Sequence, residues 1–145
     1  MEETIACSFS ATELEARSGI SSIVDQLRNR GVPQPRVEEV QIALAEAVNN
    51  VVEHAYADNQ PGDVNIRCQL NADTLSIYIR DAGQPLPDEK LPEGKPQSLD
   101  GAIEDLPEGG FGWFLIRELT SDIQYERSEG ENNLVLSFEI QVRPA

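Results

Sequence analysis

Glu46-Ala-Val-Asn49-Asn50-Val-Val-Glu53-His54-Ala-Tyr56 is the stretch whose reading decides the fold. Leu44, Val48, Val51, Val52 and Ala55 recur at i, i+4, i+7, i+8 and i+11, which predicts a helix with one core-facing stripe. Glu46, Asn50 and Glu53 leave from the opposite side, about one and two turns apart. Two adjacent asparagines in mid-helix cost roughly half a kcal/mol each relative to alanine. Something other than helix stability keeps at least one of them there. A carboxylate and a carboxamide four residues apart can jointly hold a divalent cation and orient a hydroxyl, since both offer the hard oxygen ligands that magnesium accepts. The same face also reads as an ordinary solvated helix surface.

Working outward, this helix is predicted over about 37–57, between Gly31-Val-Pro-Gln-Pro35 and Asp58-Asn-Gln-Pro-Gly62. Upstream, residues 4–9 read as a strand. A helix over about 13–30 follows, capped by Ser10 or Thr12, with Leu14, Ile20, Ile23, Val24 and Leu27 inward. Downstream, strands over 63–70 and 74–80 are joined by Asn71-Ala-Asp73 as a hairpin. Residues 81–108 hold five of the nine prolines and no periodic pattern, the mark of a functional or disordered segment. A helix over about 112–120 and strands over 123–127 and 134–142 complete the chain, with Gly130-Glu-Asn-Asn133 as the last turn. The expected fold is α+β: one domain over 1–145, with a largely antiparallel sheet covered on one face by helices.

Composition narrows the function. The 145 residues suit one domain able to bury roughly two-thirds of its unfolded surface. Against 26 acidic residues stand 11 basic ones, a net charge of −15 that repels nucleic acid and anionic membranes. An ATP site in such a field needs a metal ion and backbone amides to receive the phosphates. No run of 18 apolar residues predicts a membrane span, and Met1-Glu-Glu-Thr-Ile-Ala lacks the features of a signal peptide, so a cytoplasmic chain is expected. Cys7 and Cys68 sit singly in strand-like segments and are expected as reduced, buried thiols; the lone His54 argues against zinc.

Two further stretches carry chemistry. Asp81-Ala-Gly83 directly follows a predicted strand, where a carboxylate can accept a hydrogen bond from an exocyclic amine such as that of adenine. The glycine lets a flat ring approach the backbone; an ordinary Asp/Gly turn is the plain alternative. Glu108-Gly109-Gly110-Phe111-Gly112 leads straight into an apolar helix, and glycines at a helix entry leave outward-pointing N–H groups as an anion cradle. There is no G-x-x-x-x-G-K-[ST], and no strand precedes the glycines as a dinucleotide fingerprint requires.

In this order the three stretches resemble the N, G1 and G2 boxes of the GHKL ATPases, over nearly the whole chain. Glu46-Ala-Val-Asn-Asn50-Val-Val-Glu-His54-Ala-Tyr56 is similar to the E-A-x-x-N-x-x-x-H-A-Y of the small serine/threonine kinases that act as anti-sigma factors in bacterial partner switching. The resemblance implies a Bergerat-type α/β sandwich with a mixed, mostly antiparallel sheet and an irregular ATP lid over about 82–108. It implies that Asn50 binds ATP through Mg2+, that Glu46 is the general base on the acceptor hydroxyl, and that Asp81 reads the adenine amine with Gly83 beside the ring. Gly109, Gly110 and Gly112 would wrap the phosphates, and Arg17 would contact partner proteins, although a surface salt bridge fits Arg17 as well. His54 is read as a packing or hydrogen-bonding residue. Helical spacing from Glu46 favours Asn50 over Asn49 as the metal ligand. Lys90 and Lys95, the only lysines, both fall in the lid, where a cation could meet phosphate.

The function so implied is an ATP-dependent protein serine/threonine kinase and anti-sigma factor. It would phosphorylate an anti-sigma factor antagonist with a STAS-like domain and sequester a sigma factor or other effector, as a homodimer. Two alternatives stay open: a nucleotide-dependent binding switch without turnover, and the ATP-binding module of a two-component histidine kinase. The second is disfavoured because no helical phosphoacceptor segment is in view.

Overall fold

The computed structural model describes residues 2–56, 62–93 and 110–142, with 110 and 111 as backbone. Strand β1 (Glu3–Ser10) alternates so that Ile5 and Phe9 are buried and Thr4, Ala6 and Ser8 exposed. Thr12 then caps α1 (Glu13–Asn29), its hydroxyl accepting the Glu15 N–H at 3.2 Å with Glu13 and Glu15 in the first turn. The helix stops at Gly31, whose φ of +92° allows a Schellman closure: Val32 N–H reaches Leu27 O and Gly31 N–H reaches Arg28 O, both at 3.2 Å. Ile20, Ile23, Val24 and Leu27 point inward as expected. Leu14 does not: it is 76% exposed, because six residues before Ile20 it stands about 120° round the helix from the buried stripe.

Helix α2 (Gln34–Asn50) begins earlier than the sequence pattern suggested and contains Pro35 in its first turn. A proline there forfeits no intrahelical hydrogen bond, since first-turn N–H groups have no partner in any case. The helix also ends sooner. After Asn50 the backbone widens into a π-helical turn, Val51–Ala55, and the helical path closes at Tyr56. Strands β2 (Asp63–Leu70) and β3 (Thr74–Asp81) form the expected hairpin. Asn71 Oδ1 holds the turn by accepting from the N–H groups of Asp73 and Thr74 at 3.1 and 2.8 Å. Helix α3 (Gly110–Leu119) packs on α2 and buries Trp113 and Ile116.

The last hairpin differs from expectation. Strands β4 (Asp122–Ser128) and β5 (Glu131–Glu139) are joined by the two residues Glu129 and Gly130, at φ of 52° and 79°. Both angles are positive, the two-residue turn whose twist suits a tight hairpin. Asn132 and Asn133 therefore belong to β5 rather than to the loop.

The sheet runs β1-β2-β3-β5-β4, and each of its four pairings is antiparallel. Val64, Ile66, Cys68 and Leu70 of β2, Leu75, Ile77 and Ile79 of β3, and Leu134, Leu136 and Phe138 of β5 share the buried face with the helices. The α+β sandwich with one helix-covered face is thus the observed fold. Cys7 and Cys68 are free thiols, half-buried and buried, and burial pushes the Cys68 thiol up to about 12. Among the described residues no helix is long and apolar enough to cross a membrane.

Candidate functional site

One row of the sheet breaks the apolar pattern of the buried face. The β3–β5 register sets Ile77 opposite Leu136, Ile79 opposite Leu134 and then Asp81 opposite Asn132. In the same row β4 sets Arg127 opposite Asn132, with Tyr125 opposite Leu134 one step inward. Asp81 and Asn132 are 4% and 6% exposed, the buried polar side chains of the core. They sit at the end of the sheet beside the π-helical turn, where a cavity of about 430 Å³ opens. Its walls are Ala47, Asn50, Val51, His54 and Ala55 on the helical side, Ile79, Asp81, Asn132, Leu134 and Tyr125 on the sheet side, Trp113 of α3, and Gln84–Pro87 with Pro92.

Among the described residues Asp81 is held through one oxygen. Its Oδ1 accepts from Asn132 Nδ2 and from Gly83 N–H, both at 2.9 Å. Burial pushes its carboxyl above the ordinary range, opposed by those two hydrogen bonds and by the nearby Arg127 guanidinium, and reinforced by Glu131. At Gly83 the structure shows a close approach of backbone. A Cβ at Gly83 would strike the Ala55 carbonyl oxygen and stand 2.6 Å from Ala55 Cβ, and Gln84 N–H bonds that same Ala55 carbonyl at 2.7 Å. Glycine is what lets the Asp81 turn lie against the π-helical turn.

Tyr56 locks the opposite end of that turn. Its hydroxyl accepts the Ala82 N–H at 2.7 Å and donates to Asp63 O at 3.1 Å. Burial raises its pKa, opposed by the Ala82 bond. The end of α2, the start of β2 and the end of β3 are thereby tied together around the cavity.

The two asparagines at the end of α2 point in different directions. Asn49 is exposed, whereas Asn50 is half-buried, lines the cavity, and has a buried Nδ2 without a hydrogen-bond partner among the described residues. A buried amide nitrogen left unpaired costs on the order of 1–3 kcal/mol, the mark of a group whose partner is a ligand. Pi-helical turns concentrate at functional sites. Glu46, one turn earlier, is not among the cavity-lining residues but lies against the start of α3, where a Cβ on Gly112 would be 2.7 Å from its Oε2. The first and third sequence stretches therefore meet, with the carboxylate over the glycine entry of α3.

Other expected residues fall elsewhere. Gly110 opens α3, and Gly109 and Lys95 lie outside the described residues. Arg17 is exposed on α1 and is no part of the cavity wall. Lys90 is exposed just past the short 3-10 turn Pro87–Glu89. His54, read as a packing or hydrogen-bonding residue, lines the cavity with its side chain 60% exposed and Nε2 3.7 Å from Glu53. Glu53 is exposed and is not among the lining residues. The residues that sequence reading missed are Asn132, Tyr125, Arg127 and Trp113. A signal existed for Asn132, which keeps the parity of Leu134, Leu136 and Phe138 once Glu129-Gly130 is taken as the turn.

Comparison with known proteins agrees with this geometry. The histidine kinase-like ATPase domain family matches residues 9–138. The chain is 34% identical over 116 residues to the serine-protein kinase RsbW of Oceanobacillus iheyensis, covering 79% of this chain and 72% of that one. It is 30% identical over 101 residues to the serine-protein kinase RsbW of Bacillus subtilis, covering 69% and 63%. The crystal structure of the RsbU and RsbW domains of a Mycobacterium tuberculosis protein superposes with a TM-score of 0.69 at 19% identity, over 99% of this chain and 34% of that one, a likeness of fold. By a family match over most of its length and by these relatives, this chain belongs to the histidine kinase-like ATPase domain family, on the branch of the RsbW serine-protein kinases.

Proposed function

We propose that this protein is an ATP-dependent serine/threonine kinase and anti-sigma factor, which phosphorylates an anti-sigma factor antagonist with a STAS-like domain and sequesters a sigma factor or other effector. The observation that carries the reading is Asp81: a buried carboxylate with one oxygen held among the described residues, lining a cavity that Asn50 also lines with a buried Nδ2 that has no hydrogen-bond partner among them. The carboxylate would accept the exocyclic amine of adenine, and Ile79, Trp113 and Leu134 would receive the flat base. Asn50 would serve the phosphate end.

There Gly110 and Gly112, with Gly109 before them, offer backbone N–H groups to the phosphates. The donor set fits magnesium rather than a protein-enclosed metal. No three His, Cys, Asp or Glu side chains converge among the described residues, and magnesium is commonly held by one or two protein oxygens together with phosphate and water. Asn50 would hold it through its side-chain oxygen, and the ion supplies charge neutralisation to the transferring phosphoryl group. Glu46, beside Gly112, is placed to take the proton of an incoming serine or threonine hydroxyl. Arg17, exposed on α1, is available to a protein partner.

The chain acts as a single domain over 1–145, with the lid at about 82–108, in the cytoplasm and as a homodimer. The test is incubation with γ-labelled ATP and a purified STAS-like antagonist. Label on a serine or threonine of the antagonist supports the kinase reading; ATP-dependent binding of the antagonist without label leaves a switch in its place.

A further inference from the structure

We infer that Asn132, held by Tyr125, is a positioning residue that orients Asp81 and thereby sets selectivity for adenine over guanine. This rests on the ATP reading above. Asn132 is a fully satisfied amide. Its Nδ2 donates to Asp81 Oδ1 at 2.9 Å and to Gln84 O at 2.8 Å; its Oδ1 accepts from the Tyr125 hydroxyl at 2.6 Å and from Arg127 Nη1 at 3.2 Å. An amide has two donors and two acceptor sites, and here all four are used. Its orientation is dictated: with Oδ1 claimed by a hydroxyl and a guanidinium, Nδ2 must face Asp81.

The consequence falls on the carboxylate. Oδ1 of Asp81 is taken by Asn132 and by Gly83 N–H, which leaves Oδ2 for the cavity. An N–H donor on Oδ1 also favours the ionised acid, which can only accept. Adenine presents an amine donor where guanine presents a carbonyl acceptor, so an ionised Asp81 bonds the first and repels the second. A protonated Asp81 could donate to the guanine carbonyl. The groups facing Asp81 that bear on its charge are Arg127 on β4, Glu131 on β5 and Tyr56 at the end of the π turn.

Tyr125 extends this control to the start of the lid. Its hydroxyl, while donating to Asn132, accepts Leu86 N–H at 3.1 Å, and Arg127 Nη1 donates to Gly83 O at 2.7 Å. The segment from Gly83 to Leu86, which lines the cavity, is therefore pinned through the same two side chains that fix Asn132.

The experiment measures ATP and GTP affinity by calorimetry across a pH series, for the wild type, Asn132→Ala, Asn132→Ser (which keeps one donor) and Tyr125→Phe. For Asn132→Ala, ATP affinity should fall about tenfold to a hundredfold, the value of a hydrogen bond to a charged group. The ATP:GTP ratio should fall with it, and the pH at which ATP binding is half lost should rise. Asn132→Ser should recover part of both, and Tyr125→Phe should show the same changes at smaller size. If a folded Asn132→Ala keeps wild-type affinity, ratio and pH midpoint, the inference is overturned. If that variant fails to fold, Asn132→Ser and Tyr125→Phe carry the same test, and an unchanged ratio and midpoint in both overturns it equally. A wild type that binds no ATP overturns the nucleotide reading itself, and this inference with it.

Discussion

Replacing Gly83 with alanine should weaken the fold and the cavity together. The new methyl carbon would strike the Ala55 carbonyl oxygen and lie 2.6 Å from Ala55 Cβ and 2.7 Å from Ala55 C. Ordinary carbon–carbon contact is about 3.5–4.0 Å, so the two chain segments must part by roughly 1 Å. They cannot do so freely, because Gln84 N–H bonds Ala55 O at 2.7 Å and Tyr56 ties the same turn to Ala82 at 2.7 Å. Overpacking of this kind costs about 1–3 kcal/mol, and a strained Gln84 bond about another 1 kcal/mol. The sum, about 2–4 kcal/mol, corresponds to a melting point lower by roughly 6–15 °C for a domain of this size. Because Asp81 Oδ1 accepts from Gly83 N–H, ATP affinity should fall in the same variant. Circular dichroism melting and calorimetric ATP titration read the two effects. A Gly83→Ala protein that melts within about 2 °C of wild type and binds ATP as tightly would refute the packing argument.

Three further outcomes follow from the site. Asn50→Ala should lose magnesium-dependent ATP binding while folding at least as stably as wild type, since it removes an unpaired buried nitrogen and gains helix propensity; unchanged calorimetric affinity would remove Asn50 from the site. Glu46→Gln should slow single-turnover phosphorylation of the antagonist by about 10²–10⁴-fold with ATP affinity retained, as expected for a base that acts only in the transition state; near-normal transfer would sink that role. Asp81 gives two pH effects of opposite sign. Its folded pKa lies above its unfolded one because of burial, so its charge costs stability above that pKa, and the cost is relieved as pH falls through it. ATP affinity should be lost over the same interval, between the ordinary carboxylate range and the raised value, as the acceptor becomes protonated. Affinity that stays flat across this interval would show that Asp81 does not receive the amine.

The apolar periods of the chain were enough to place the helices and strands, because a 3.6- or 2-residue repeat is a local consequence of which face is buried. Asn50, Asp81 and Gly112 were legible for a related reason. Each is a residue type that a helix interior or strand end does not need for stability, standing in a fixed order with the others. Glu46 meeting Gly112, by contrast, required the packing of α3 on α2. Leu14 looked inward by its residue type, yet it stands about 120° round the helix from Ile20 and is exposed. Gly83 was visible as a glycine, but its reason, the Ala55 backbone, comes from a turn 28 residues earlier in the chain. The π-helical turn that follows Asn50 and carries His54 has no periodicity of its own to announce it. Asn132, Tyr125 and Arg127 were the least legible of all. They reach Asp81 only through strand register, across 51 residues in the case of Asn132, and that register depends on the two positive φ angles of Glu129 and Gly130 together with the pairing of β5 against β3. Periodicity tells a residue which face it takes; only the pairing of distant strands, whose energy comes from the whole buried face at once, decides which residue it stands beside.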